Sequence, residues 1–226
     1  MQTRHSSIRR FAEISAAMPD LLLPLLALGV SMSFTPGPNN FMVAASGANF
    51  GWRRTLPLYF GIIAGFVSLL LAVGFGLGAV FDRYPILHEI LRYAGATYLV
   101  WLGVKIATGW GGKSGPRDGE TKSPANDPGT GKPIGFFLGA AFQWINPKAW
   151  VLAVGAMAAF TLANRPMAPQ VLMIAAVLGA LAFPSLALWL GSGVLVARYL
   201  KTDRAMRIFN IALGCLCIAS VVFIFV

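Results

Sequence analysis

Residues Leu21 to Trp52 form an apolar run with no Asp, Glu, Lys or Arg, and Ser33-Phe34-Thr35-Pro36-Gly37-Pro38-Asn39-Asn40 lies across its middle. About 20 apolar residues suffice to cross a bilayer as a helix. Two prolines and a glycine do not wind undisturbed at that depth. Pro36 and Pro38 lack the N–H that would bond the carbonyls of Met32 and Phe34, and their rings push those carbonyls away. In hydrocarbon such groups need other partners or a polar cavity. The run therefore reads as a broken membrane helix with a site at the break, or as a helix with a plain proline kink.

A second interruption favours the first reading. Gln143-Trp144-Ile145-Asn146-Pro147-Lys148-Ala149-Trp150 sits in another apolar segment, and Pro147 frees the carbonyl of Gln143. Two Pro-interrupted segments, one in each half of a chain, point to a transporter binding site.

With 57% hydrophobic and 12% charged residues in 226, the chain is an integral membrane protein. Its net charge of +10 would suggest nucleic acid in a soluble protein. Here the basic residues flank apolar spans, which the positive-inside rule explains, and no nucleic-acid partner is expected. Cys215 and Cys217, at i and i+2 of the last apolar segment, point to different faces, so neither a disulfide nor a metal site is expected.

Six spans can be drawn: Leu21–Ser46, Leu56–Val80, Glu89–Thr108, Ile134–Phe160, Ala168–Ala197 and Met206–Val226. The expected fold is an all-α membrane protein of six transmembrane helices, built as two three-helix inverted repeats with helices 1 and 4 broken. An odd number of spans per half makes a duplicated half insert upside down. Residues 1–20 form an N-terminal extension, 21–108 the first half, 109–133 a linker and 134–226 the second half. The extension carries Arg4, Arg9 and Arg10, but the run after it is too long for a signal peptide. A start at Met18 is the alternative. The linker is rich in Gly, Pro and charge, and reads as flexible and hydrophilic. Its Gly109-Trp110-Gly111-Gly112-Lys113-Ser114 lacks the spacing and the preceding strand of a phosphate-binding loop.

Basic residues set the orientation. The loops after spans one, three and five hold Arg53, Arg54, Lys105, Lys113, Arg117, Lys122, Lys132, Arg198, Lys201, Arg204 and Arg207; the other side holds Arg4, Arg9, Arg10, Arg83, Arg92 and Arg165. The odd loops should be cytoplasmic and both termini outside. Gly47 and Gly51, Gly61 and Gly65, and Gly135 and Gly139 have close-packing spacing, read as bundle packing. Pro184 should kink span five, and Gly191 and Gly193 should loosen its end.

The two breaks bring complementary chemistry. A half-helix starting at Asn39 and Asn40 presents free N–H groups and a positive dipole end, which suit a carboxylate. The freed carbonyls of Met32, Phe34 and Gln143 suit an ammonium. The amides of Asn39, Asn40, Gln143 and Asn146 serve either. Together they could cradle a zwitterion such as an amino acid, although a permanent structural network would use the same groups. Lys148 is the one charge well inside a span, which marks it for a role with substrate carboxylate or path; the alternative is that it snorkels to the interface. The carboxylates Glu13, Asp20, Asp82, Glu89, Asp118, Glu120, Asp127 and Asp203 all lie outside the deep parts of the spans, as do His5 and His88. Proton coupling would then use Glu89, Asp82 or Lys148, or a proton on the substrate.

Pro36-Gly37-Pro38-Asn39-Asn40, the following Ser46-Gly47-Ala48-Asn49-Phe50-Gly51-Trp52-Arg53-Arg54, and Gly61-x-x-x-Gly65-Phe66 resemble the LysE/RhtB family of amino-acid exporters. Tyr93-Ala94-Gly95-Ala96-Thr97-Tyr98-Leu99-Val100-Trp101-Leu102-Gly103 resembles that family's third span, and Asn146-Pro147-Lys148-Ala149-Trp150 its fourth. The resemblance runs from Met18 to Val226 without the linker, which is longer and more polar than the family leads one to expect. It implies six spans and export of amino acids or small derivatives from the bacterial cytoplasm across the inner membrane, driven by the proton gradient. Within the family the wording is most similar to cysteine/O-acetylserine or homoserine/threonine exporters. Many members carry Asp where Asn39 or Asn40 stands, so a carboxylate coupling site is not expected there.

The candidate substrate-binding residues are Pro36, Gly37, Pro38, Asn39, Asn40, Gln143, Asn146, Pro147 and Lys148. No catalytic residue, metal or cofactor is expected. The expected partners are an amino-acid solute and the lipid bilayer, with room for a homo-oligomer. A small-ion carrier or channel using the same breaks is the alternative. An intramembrane enzyme would need a nucleophile and base, or metal ligands, facing each other within the spans, and the sequence places none there.

Overall fold

The computed structural model describes residues 21–84, 86–109, 132–162, 164–200 and 202–225. The N-terminal extension with its alternative start, most of the 109–133 linker, and the side chains of Asp82 and His88 lie outside the described residues. All regular structure among the described residues is helical. In chain order it comprises α1 (Leu21–Phe34), α2 (Pro38–Ala72), a π-helical turn (Val73–Leu77), α3 (Gly78–Arg83) and α4 (Ile86–Ala107). After the linker come α5 (Phe136–Ile145), α6 (Pro147–Phe160), α7 (Met167–Tyr199), α8 (Asp203–Ala219) and α9 (Val222–Phe225).

The first expected break is present: α1 stops at Phe34 and α2 begins at Pro38. The second falls at Asn146, between α5 and α6. Both new helices start on a proline in the first turn, where the missing N–H has no intrahelical acceptor to lose. Pro38 is therefore compatible with its helix; the interruption lies in Thr35, Pro36 and Gly37.

One expectation about continuity needs correction. No loop separates the first two apolar segments. The chain turns at Gly51, whose φ of 76° and ψ of 177° leave the helical region. Glycine reaches that conformation without the Cβ penalty other residues meet. Thr55 Oγ1 donates to the Gly51 carbonyl (2.9 Å) and pairs with Ser46 Oγ (2.9 Å), so the polar groups at the turn are satisfied within the protein. α7 contains Pro184, Gly191 and Gly193 within one helix. Gly193 tightens the packing, since a Cβ there would overlap the backbone of Ala44. Late in the second apolar segment the chain passes through the π-helical turn, where Gly76 has φ 116°, into α3.

Helix directions follow from side-by-side contacts. Gly61 lies on the Phe136 backbone and Gly65 on that of Ala140, so α2 beyond Gly51 and α5 run parallel. α7 is antiparallel to that part of α2, pairing Gly179 with Val67 and Gly74 with Val171. Before Gly51 it packs closely on α2, where Gly47 meets Leu190 and Gly193 meets Ala44. α4 and α8 are antiparallel, with Gly103 and Gly214 face to face. Lipid tails give apolar side chains no reason to leave them, so close backbone approach at small residues is what holds such helices together. The expected packing role suits Gly47, Gly61, Gly65 and Gly139; Gly135 meets nothing within 4 Å, and Gly51 serves the turn.

The outer surface is apolar. Phe137 is 85% exposed, Leu23 73% and Leu188 60%. A soluble protein does not present large apolar side chains in this density, whereas a bilayer accommodates them. Cys215 is exposed and Cys217 buried, on different faces as the spacing predicts, and both thiols are free.

Candidate functional site

The two breaks meet. Asn39, in the first turn of α2, and Gln143, in the last turn of α5, face each other with both amides engaged. Asn39 Nδ2 donates to Gln143 Oε1 at 2.9 Å, and Gln143 Nε2 donates back to Asn39 Oδ1 at 2.9 Å. Asn146 Nδ2 adds a third bond to Asn39 Oδ1 at 3.3 Å. Gln143 and Asn146 are buried, at 0% and 1% exposure. A buried amide without partners would cost about 1–3 kcal/mol, and this arrangement removes that cost at both breaks together.

The carbonyls released by the breaks find separate partners. Met32 O accepts from Thr35 Oγ1 at 3.0 Å. Ser33 O accepts from Asn40 Nδ2 (3.1 Å) and from Ser185 Oγ of α7 (2.6 Å). Thr35 O accepts from Asn40 Nδ2 at 2.8 Å. At the second break, Gln143 O accepts from Asn146 N–H (3.4 Å), and Trp144 O from the Trp150 indole (2.8 Å). Asn146 also caps α6, its side chain accepting from Lys148 N–H at 3.2 Å. α2 has no such side-chain cap at Gly37. The Asn39 and Asn40 N–H groups are then the donors that a helix start leaves outside its own ladder.

This revises the expected ammonium cradle. Met32 and Gln143 carbonyls are spoken for by neighbouring donors. The oxygens that hold a cation are Thr35 O, Thr35 Oγ1 and Pro36 O, and the cation is Lys148 Nζ, at 3.0, 2.8 and 3.3 Å. Lys148 leaves α6 in its first turn and reaches across to the frayed end of α1. Its ammonium is held by these oxygens within the chain. Gly37 makes the approach possible: a Cβ there would stand 3.1 Å from Nζ and 3.2 Å from Cδ of Lys148.

Two cavities flank this bridge. The larger, about 510 Å³, is bordered by Pro36, Gly37, Pro38, Asn146, Pro147 and Lys148. It is completed by apolar side chains including Phe41, Leu99, Val151 and Leu216. The smaller, about 60 Å³, is bordered by Ser33, Asn39, Asn40, Asn146, Lys148 and Ser185. Of the nine candidate residues, all but Gln143 border one cavity or both; Gln143 instead stands behind Asn39 and orients it. No carboxylate borders either cavity. Two helix starts and one lysine therefore make the field there positive.

Sequence reasoning passed over Thr35 and Ser185. Thr35 lies within the first interruption and supplies two of the three oxygens on Lys148. Ser185 follows Pro184, a proline well inside the fifth apolar segment, and that adjacency was the available signal. Within α2, beside the Gly51 turn, Asn49 forms a second reciprocal amide pair with Asn210, at 2.8 and 3.0 Å. Glu89 and Asp203 both lie in the first turn of their helices, and Glu89 pairs with Arg92 at 3.6 Å.

Known proteins resemble this chain along most of its length. The chain is 30% identical over 211 residues to the cysteine/O-acetylserine efflux protein of Escherichia coli strain K12, covering 92% of this chain and 98% of that protein. Proteins of the same name from Escherichia coli O139:H28 and from Shigella sonnei match at the same identity and coverage. No solved structure gives a significant match. The profile of the LysE type translocators matches residues 30–225, both breaks included, and the chain belongs to that family.

Proposed function

We propose that this chain is a secondary exporter of neutral amino acids or small amino-acid derivatives, moving them out of the cytoplasm at the expense of the proton gradient. The observation that carries the reading is the meeting of two helix breaks from opposite halves of the chain at one cavity. Asn39, Gln143 and Asn146 tie the breaks together, and Lys148 crosses between them. A cavity of about 510 Å³ is within the range of about 300–1,000 Å³ typical of small-molecule sites. Its polar end supports recognition of a zwitterion, with α2 and α6 starts and Lys148 for a carboxylate. Its apolar remainder, with no bordering carboxylate, supports an uncharged side chain. Cysteine and O-acetylserine, named in the efflux relatives, are the first solutes to test.

The same reading takes the fold as six spans in two inverted three-helix repeats. Each half runs through a short helix, a break, a helix starting on proline, and two further apolar helical stretches. The odd loops, with the excess of Lys and Arg, are cytoplasmic.

The test is uptake of labelled cysteine or O-acetylserine into inside-out vesicles from cells expressing the chain. Accumulation that collapses with a protonophore is expected. Accumulation indifferent to the protonophore would remove the coupling, and its absence for a full panel of neutral amino acids would remove the function. Movement of a labelled monovalent cation without any amino acid would establish the ion-carrier alternative instead.

A further inference from the structure

Several oxygens at the breaks are already engaged, and this bears on how substrate enters. Ser33 O has two donors, Thr35 O has two, Asn39 Oδ1 has two, and Asn146 Oδ1 has the Lys148 N–H. Every oxygen in this account is already engaged. A zwitterion brought to the bridge finds N–H donors and positive charge for its carboxylate. It finds the place for its ammonium taken, because Lys148 Nζ sits there with one oxygen for each of its three N–H donors.

We infer that the Thr35–Pro36 oxygens form the subsite for the substrate's primary ammonium, and that Lys148 fills it when no substrate is present. This deepens the exporter reading and rests on it. Substrate binding is then an exchange. The α-ammonium takes Thr35 O, Thr35 Oγ1 and Pro36 O, and the displaced Lys148 Nζ pairs with the substrate's carboxylate. Three features of the structure support the exchange. The occupant is a primary ammonium, the same chemical group as the incoming one. It stands at the end of a flexible four-carbon stem, so it can withdraw without moving the backbone. It also borders both cavities, so room for a solute adjoins it on either side. Gly37 borders both cavities as well and puts no side chain against Lys148.

Specificity follows. A solute with a carboxylate and no primary ammonium would draw Lys148 away and leave Thr35 Oγ1 and Pro36 O without this donor and Thr35 O with Asn40 Nδ2 alone, which is a heavy penalty in a water-poor site. The subsite therefore selects free amino acids over their N-acylated forms.

The test uses the full chain, purified in detergent, with ethylammonium chloride as the probe. Its melting temperature is followed at constant ionic strength, with tetramethylammonium chloride as the comparator that has no N–H. Lys148→Ala empties the subsite, so ethylammonium should raise the melting temperature of this variant saturably, while tetramethylammonium should not. The wild type should need about tenfold more ethylammonium or show no response, because one charged hydrogen bond contributes about a factor of ten or more. Adding Thr35→Val to Lys148→Ala should weaken the response by about tenfold on the same basis. If the alanine variant does not purify as a single species, Lys148→Ser is measured in its place. A Lys148 variant that answers ethylammonium no better than the wild type, or no better than tetramethylammonium, overturns the subsite. Vesicle transport by the wild type is scored separately. Export without an ethylammonium response leaves the exporter reading standing and the subsite rejected. The response without export leaves the subsite standing and the exporter reading rejected.

Discussion

Asn39 and Gln143 lie 104 positions apart and exchange two amide hydrogen bonds of 2.9 Å. Each residue belongs to a helix that stops or starts in mid-segment, so the pair joins the two interruptions of the chain. Losing Asn39 takes both side-chain partners in this pair from the buried Gln143 amide, and losing Gln143 takes them from the half-buried Asn39.

A double-mutant cycle on this pair is therefore informative. Asn39→Leu and Gln143→Leu should each destabilise the detergent-solubilised protein by about 1–3 kcal/mol. The double variant should cost less than the sum, with a coupling of about 0.5–2 kcal/mol read from thermal unfolding. Additive costs would mean that the two amides do not depend on each other.

Lys148→Met keeps the apolar stem and removes the ammonium. Export should fall by at least about tenfold, as expected for losing charged hydrogen bonds, while membrane insertion and expression stay at wild-type levels. Vesicle uptake against immunoblot of the membrane fraction measures both. Unchanged transport kinetics would return Lys148 to a structural role.

Gly37 is extended, with φ −176°, so its backbone suits any residue. The restriction is space, since a Cβ would stand 3.1 Å from Lys148 Nζ. Gly37→Ala should retain part of the transport and Gly37→Val should lose it, because bulk beyond Cβ pushes Lys148 off Thr35. Pro38→Ala should be milder than either, since a residue at the first helical position needs no proline. Equal transport by all three variants would show that nothing passes between Gly37 and Lys148.

Gly51 presents the opposite case. Nothing lies within 4 Å of a Cβ built there, but φ is 76°. The cost of substitution is then conformational alone. Gly51→Ala should destabilise by about 1–2 kcal/mol and Gly51→Asn by less, since Asn tolerates positive φ. A valine should cost the most. An order that followed side-chain volume without regard to this tolerance would point to a steric cause.

Much of this protein is legible in its sequence, for a plain physical reason. In hydrocarbon the backbone must satisfy itself, so a proline inside an apolar run announces a break wherever the protein folds. That argument locates the interruptions near Pro36 and Pro147, names the residues around them, and makes the fold helical. It fails where the outcome depends on a neighbour. Pro184 looks as disruptive as Pro147, yet α7 continues through it. Gly191 and Gly193 look loosening, yet Gly193 is where Ala44 packs. Gly47 and Gly51 share one motif, yet one packs and the other turns the chain.

The pairing of partners was decided by tertiary structure alone. Composition and spacing show that freed carbonyls, amides and one lysine are present at two levels of the chain. They do not show that Gln143 turns to Asn39, that Ser185 comes across to Ser33, or that the cation on Thr35 and Pro36 is the protein's own Lys148. Hydrogen-bonding capacity is a property of each residue and can be read from sequence. Which donor reaches which acceptor is set by distances of about 3 Å between remote segments, and those exist only after the helices have packed.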